Sequence, residues 1–380
     1  MAKEKRKSSS FLFVGGEMDY AFLLIVIVLL SIGLVMLFSA SYANAHYFLG
    51  DSLFYISKQV IFAVLGVFCM FAISRINYKL LKPLALPVYV VSLALLVIVL
   101  FMEPINNVRR WIPLPVAGTI QPSEVAKFAL ILVFASYISV YYQKMHTFKY
   151  GMLPFGCIIA PVIFLLLREP HLSASVLMIG ITAVMMFVGG TDYRWFVAGV
   201  VAVAAVIALI ILSPDIVHYA GGRVETWLDP FSDPQGDGFQ TIQSLYAIGS
   251  GGLTGAGIGG SRQKYLYLPE PQNDFIFAIV SEELGFIGAT IILCLFALLV
   301  WRGFVIAMRC RDRFGCLVAV GITAQVGLQT ILNVAVVTNT MPNTGISLPF
   351  FSSGGSALLM LLCQMGVILS ISRSSSIEKE

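Results

Sequence analysis

The sequence predicts an all-α, polytopic membrane protein with about ten transmembrane helices, both termini cytoplasmic, and a large extracytoplasmic loop between helices seven and eight. Three observations lead there. Of the 380 residues, 58% are hydrophobic and only 12% are charged, whereas a soluble domain has about 25% charged residues. Apolar stretches close to the roughly 20 residues that a helix needs to cross a bilayer recur along the whole chain. Finally, about two thirds of the 24 Lys and Arg fall in segments that this topology leaves in the cytoplasm, where positive charge is retained.

Taken in order, the expected spans cover residues 20–41, 54–73, 83–102, 123–142, 153–168, 172–190, 195–213, 274–300, 315–338 and 347–372. They form one membrane domain over 1–380, with cytoplasmic tails at 1–19 and 373–380 and the large outer loop at 214–273. The opening KEKRK and the apolar run after it look superficially like a secretory signal. However, 21–40 is longer than the roughly 7–15 residues of a signal's apolar region, so it is read as the first anchor. The six cysteines form neither a disulfide framework nor a zinc pattern and read as inert thiols. The net charge of +4 is small and basic residues are not interleaved with aromatics, which argues against nucleic acid as a partner.

The most informative stretch is 268–285, LPEPQNDFIFAIVSEELG. It places Asp274 in the first turn of an apolar helix, followed by Glu282 and Glu283. Charge at membrane depth is costly and is kept mainly where it meets a cavity, a partner or a substrate. Asp274 reads either as a helix cap, its pKa lowered by the helix N-terminus, or as a catalytic base. Glu282 and Glu283 read either as cavity residues or as a polar pair satisfied by neighbouring helices.

A second group opens the fourth span. Glu124 and Lys127 are three apart and share a helix face, as an intrahelical ion pair or as the charged wall of an outward cavity, and Lys58 could join them. Arg109, Arg110, Arg223, Arg262 and Lys264 all lie outside, against the orientation bias. As a set they suggest a phosphate or diphosphate ligand, since arginine matches phosphate oxygens. The glycine run at 255–260 formally matches G-x-G-x-x-G but follows no strand and opens no dinucleotide-binding unit. The four histidines are scattered and suggest no metal cluster. The small residues at 352–356 suggest close packing or a broken helix lining a cavity.

Together QPSEVAK (121–127), WLDPFSDPQGDGFQ (227–240), QSLYAIGSGG (243–252), SRQKYLYLPEPQNDFIFAIVSEELG (261–285) and LPFFSSGGS (348–356) resemble the SEDS family of bacterial shape, elongation, division and sporulation proteins, exemplified by FtsW, RodA and SpoVE. The resemblance covers nearly the whole chain and is closer to the FtsW/SpoVE branch. It implies a peptidoglycan glycosyltransferase that polymerises lipid II at the outer face of the cytoplasmic membrane, in division or sporulation. Asp274 matches the family's catalytic aspartate, Glu124 and Lys127 its cavity residues, and Arg110 the arginine of its R-W loop. Gln243 and Ser244 of QSLYAIGSGG join the candidate substrate-binding set. The chain departs from the family pattern at 169–173 (EPHLS), at Ser353 and Ala357, and at Lys58, where arginine is common.

In the expected chemistry Asp274 takes the proton of the attacking sugar hydroxyl while the basic residues offset charge on the departing diphosphate. No cofactor is firmly implied; a divalent cation, Mg or Mn, would fit the same charge. The family's usual partner is a single-span class B penicillin-binding protein, expected here on the lipid-facing side of the later spans, alongside other divisome or sporulation membrane proteins. A transporter that flips lipid-linked precursor and a non-catalytic scaffold are the competing readings.

Overall fold

The computed structural model describes residues 12–104, 108–114, 118–199, 226–236 and 238–377. Its described residues include ten helices of 13 or more residues and one hairpin: α1 (Tyr20–Leu49), α2 (Phe54–Arg75), α3 (Leu81–Leu100), β1 (Ile112–Leu114), β2 (Gly118–Ile120), α4 (Pro122–Tyr141), α5 (Leu153–Arg168), α6 (Leu172–Val188), α7 (Phe239–Gly251), α8 (Ile276–Arg309), α9 (Arg313–Val337) and α10 (Gly355–Ile377). Among the described residues eight helical stretches are long and apolar enough to cross a membrane, and α6 is a shorter apolar helix. The chain is therefore an integral membrane protein. Most of the expected seventh span (195–213) and part of the large loop, including Arg223, lie outside the described residues.

Element ends follow local chemistry. Asp19 caps α1 by accepting from the Phe22 amide, and Gly50 ends it in the left-handed region, its amide bonded to the His46 carbonyl. Pro122 opens α4 in the first turn, where its missing N–H costs nothing, with Glu124 beside the positive helix end. Asp312 caps α9 through the Gly315 amide.

Burial sorts the helices. The apolar stretch of α9 is 72% buried, that of α10 67% and that of α4 56%, against 22% for α2 and for α5. So α9, α4 and α10 form the centre, while α2 and α5 turn apolar faces such as Phe68 and Phe164 outward, as a helix facing hydrocarbon does. α10 packs most extensively on α2, α9 on α8 and α4, and α3 on α4.

Three details refine the expected all-α frame. An antiparallel hairpin pairs Ile112 with Ile120 and Leu114 with Gly118 inside the loop after α3, a small β addition to the all-α frame. The last helix begins at Gly355 rather than 347, because 347–354 forms non-helical turns that pass into the bundle. α8 begins after Asp274 and runs to Arg309, with a break at Gly285 (φ 66°, ψ −171°).

That break determines what the glycine run does. Interrupting a helix frees backbone groups that lipid cannot satisfy. Here the segment after α7 satisfies them: Ala256 and Gly257 amides donate to the Glu282 and Glu283 carbonyls at 3.0 Å each, and Phe286 and Ile287 amides donate to the Gly252 and Leu253 carbonyls at 2.9 and 3.1 Å. The two backbones lie so close that a Cβ on Gly285 would sit 2.3 Å from the Gly255 nitrogen, and one on Gly255 would sit 2.2 Å from the Glu283 carbonyl oxygen. The G-x-G-x-x-G spacing is thus a packing device.

The acids of α8 lock the same junction. Glu283 accepts from Ser39 of α1 at 2.7 Å and pairs with Lys264 at 2.9 Å, both fully or nearly buried. Lys264 also donates to Ser39 and to the Gly259 carbonyl. Glu282 accepts from the Ser261 hydroxyl and the Arg262 and Gln263 amides. Removing one member of a buried pair strands the other charge at a cost of roughly 3–5 kcal/mol. Lys264→Ala and Glu283→Gln should each lower the thermal unfolding midpoint in detergent sharply. The Lys264→Met/Glu283→Leu double variant should lose less than the two singles added together.

Candidate active site

Asp274 lies in the turn just before α8, and Phe275 occupies the cap position with no side-chain cap bond. Its carboxylate is therefore not the helix cap that its spacing allowed. The turn is held from behind by its neighbours. Asn333 of α9, fully buried, donates to the Asp274 carbonyl at 2.7 Å and to the Ile346 carbonyl at 2.6 Å. The Ser352 hydroxyl donates to the Asn273 carbonyl at 2.6 Å, and the Ser353 amide donates to the Gln272 carbonyl at 2.8 Å. Gln59 of α2 ties this 352–354 turn down, donating to the Ser352 carbonyl and accepting from the Gly354 amide, each at 3.2 Å. With the backbone fixed, the side chain is free to face a cavity.

That cavity has a volume of about 520 Å³, between α2, α4, α6, α9 and the turns before α8 and α10. Asp274, Arg110, Glu124, Lys127 and Lys58 all line it. Glu124 and Lys127 are a buried ion pair at 2.7 Å on one face of α4, so both readings of their spacing hold at once. Lys58 is exposed at the rim, its ammonium 3.8 Å from the centre of the Phe54 ring. The Arg110 guanidinium donates to the carbonyls of Glu169 and Pro170, which clamps the turn between α5 and α6 onto the cavity wall. Glycine at 345 (φ 72°) lets the backbone come close to the reactive group: a Cβ there would sit 3.0 Å from Asp274 Oδ2.

The other sequence candidates are elsewhere. Lys264 is consumed by Glu283. Arg262 serves Glu282 with its backbone amide, and its side chain is exposed. Arg109 donates to the Leu100 carbonyl at 2.9 Å and does not line the cavity. The Ser244 hydroxyl donates to the Val337 carbonyl at 2.8 Å, docking α7 on α9, and Gln243 on the same helix does not reach the cavity. These placements correct a set assembled from charge and motif membership, because net position across the membrane does not fix which side chains converge.

Several cavity residues escaped the sequence reading. Ser123, Ser173 and His171 line it, and each has a buried polar atom with no partner: the two hydroxyls and His171 Nδ1. Buried polar atoms are almost always satisfied, so this wall offers hydrogen bonds to a bound polar group. Glu169 is 1% exposed with both oxygens unpartnered. Burial pushes its pKa up to about 8, against the pull of Arg110. Its departure from the family pattern was the available signal.

Burial, reinforced by Glu270 and opposed by Arg110, pushes the pKa of Asp274 up to about 6. This is opposite to the lowering that a cap position would give, and it suits proton uptake near neutral pH. Among the described residues no group of three or more His, Cys, Asp or Glu is placed to hold a metal ion. The charge on a phosphorylated ligand would meet Arg110, Lys127 and Lys58.

The chain belongs to the FtsW/RodA/SpoVE family, described as cell cycle proteins, whose model matches residues 20–377. Stage V sporulation protein E of Bacillus subtilis is 42% identical over 361 residues, covering 94% of this chain and 97% of that protein. A probable peptidoglycan glycosyltransferase FtsW of Trichlorobacter lovleyi is 39% identical, covering 94% and 93%. A solved structure described as the structural coordination of polymerization and crosslinking by a peptidoglycan synthase complex superposes with a TM-score of 0.77 at 30% identity, covering 94% of this chain and 98% of the other.

If Asp274 acts as a base, the rate should fall as the pH drops through about 6, because the carboxylate is lost to protonation. Glu270→Gln removes a neighbouring negative charge, favours ionisation and should move that acidic limb to lower pH in a pH–rate profile. Asn333→Ala leaves two buried carbonyls unpaired, at about 1–3 kcal/mol each. It should lower both the unfolding midpoint and the turnover rate at saturating substrate.

Proposed function

We propose that this protein is a peptidoglycan glycosyltransferase that polymerises lipid II into glycan strands, with Asp274 as general base. The observation that carries this reading is a single carboxylate, raised toward neutral pKa and held by a rigid backbone turn, in the wall of a polar cavity that also presents Arg110, Lys127 and Lys58. The family membership and the names of its relatives support the same reaction class.

The step is a substitution at an anomeric carbon. The 4-hydroxyl oxygen of the acceptor sugar forms the new C–O bond, and its proton passes to the Asp274 carboxylate. The bond from the anomeric carbon to the diphosphate oxygen breaks, and the polyprenyl diphosphate leaves with the electron pair. Attack from the opposite face inverts the anomeric centre. Arg110 and Lys127 offset charge that grows on the departing oxygen, and the unpartnered Ser123 and Ser173 hydroxyls are available to the diphosphate oxygens.

The orientation follows from charge. Arg302, Arg309, Arg311 and Arg313 cluster at the end of α8 far from Asp274: the helical stretch from the break at Gly285 to Arg309 is by itself about 36 Å long at roughly 1.5 Å per residue. Positive residues are retained in the cytoplasm, so the cavity opens at the outer face of the bacterial cytoplasmic membrane. Cross-linking would then come from a class B penicillin-binding protein, in line with the synthase complex that this fold matches. Other division or sporulation membrane proteins would complete the assembly.

The test is polymerisation of labelled lipid II by purified protein with its cognate partner. Asp274→Asn should reduce the rate by about 10²-fold or more, the scale of general-base catalysis, with an unchanged elution profile and unfolding midpoint. Polymer formed by the variant at the wild-type rate would overturn the assignment.

A further inference from the structure

Asp274 borders a second cavity. It has a volume of about 480 Å³ and lies between the segment beginning at Thr226, the start of α7 and the link after α9. Asp274, Arg110 and Gly345 line both cavities, so the carboxylate stands in the wall they share.

The two cavities differ in chemistry. Among the described residues, the first holds Lys58, Lys127, Glu124 and Glu270 besides the shared pair and lies among the spans. In the second, Arg110 and Asp274 are the only charged side chains among the described residues, and the lining there is largely amide, hydroxyl and aromatic: Gln240, Asn339, Asn343, Thr344 and Trp227 among them. The indole N–H of Trp227 donates to the Asn339 carbonyl at 3.1 Å, which fixes the ring's attitude. Asn343 donates to Gln240 Oε1 at 3.1 Å, which orients both amides. The Thr344 hydroxyl is buried without a partner.

A phosphate ligand asks for cations. A sugar instead asks for side chains that both donate and accept, which amides and hydroxyls do, and for a flat apolar surface under its ring, which an indole provides. The described lining of the second cavity, with Arg110 its one cation, suits the second description, while Lys58 and Lys127 beside Arg110 make the first cavity the better fit to the first.

We propose that the second cavity is a saccharide-binding subsite, holding neutral N-acetylated sugar units of the glycan while the first cavity holds the lipid diphosphate. Asp274 then sits at the junction where the glycosidic bond forms. This rests on the glycosyltransferase reading and deepens it: Asn343, Gln240, Thr344 and Trp227 become residues that grip the strand, set apart from those that meet the leaving group.

The experiment measures the binding of two probes to the detergent-solubilised full chain by ligand-observed saturation-transfer NMR. One probe is a soluble β-1,4-linked N-acetylglucosamine tetramer, without lipid or phosphate. The other is geranylgeranyl diphosphate, without sugar. Asn343→Ala and Gln240→Ala should each weaken the tetramer by about tenfold, the value of one well-placed hydrogen bond, and leave the diphosphate unchanged. Lys127→Ala should do the reverse. Thr344→Val, which keeps the side-chain shape, guards against a folding artefact and should also weaken only the tetramer. The proposal is overturned if wild type does not bind the tetramer, if the variants bind it as wild type does, or if both probes weaken together. Because neither probe needs turnover, the result is read equally in Asp274→Asn. Selective tetramer binding by a chain that never polymerises lipid II would overturn the proposed reaction and leave the sugar site standing.

Discussion

Non-helical backbone at membrane depth must find its hydrogen bonds inside the protein, and that constraint shapes both halves of this molecule. The break at Gly285 is tolerated because the glycine-rich segment after α7 returns four backbone hydrogen bonds to it. The turns at 345–354 are tolerated because Asn333 and Gln59 donate to the Ile346 and Ser352 carbonyls and the Ser352 hydroxyl accepts from the Leu348 amide, partners that lipid would not supply. Irregular backbone in this protein occurs where protein covers it, and the covered turns are the ones that aim side chains into the cavity.

The same logic separates the charges. Glu282, Glu283 and Lys264 are buried, are matched by short hydrogen bonds and line neither of the two cavities beside Asp274, so they act on stability. Glu124 and Lys127 are matched to each other yet remain in the cavity wall, which keeps the ammonium near a ligand while limiting its desolvation. Asp274 alone among these acids combines a fixed backbone with a carboxylate left to the cavity. Its raised pKa follows from that placement, and a base with this profile is what transfer from a sugar hydroxyl requires. The wall it occupies also stands between two cavities, only one of which is lined by Lys58 and Lys127.

Much of this was legible in the chain. Low charge and recurrent apolar stretches determine a membrane bundle by themselves, since about 20 apolar residues have few alternatives to spanning. Asp274 stood out because a lone acid beside an apolar helix is expensive, and Glu124 with Lys127 because three residues of separation put two side chains on one helix face. The helix ends were less legible. Nothing in the apolar pattern distinguishes residues 347–354 from the helix that follows them, because both are rich in small and apolar residues.

What only the tertiary structure decided is which side chains meet. Lys264 and Arg262 carry the charge expected of a phosphate ligand but face Glu283 and solvent. Ser123 and Asn333 carry no signal in the sequence, and His171 and Ser173 only that of lying in a stretch that departs from the family pattern; they reach the cavity or its supports because four helices and two turns converge there. Periodicity and charge act over a few residues and are written locally. Convergence depends on contacts between segments as far apart as Gln59 and Gly354, which packing alone brings together.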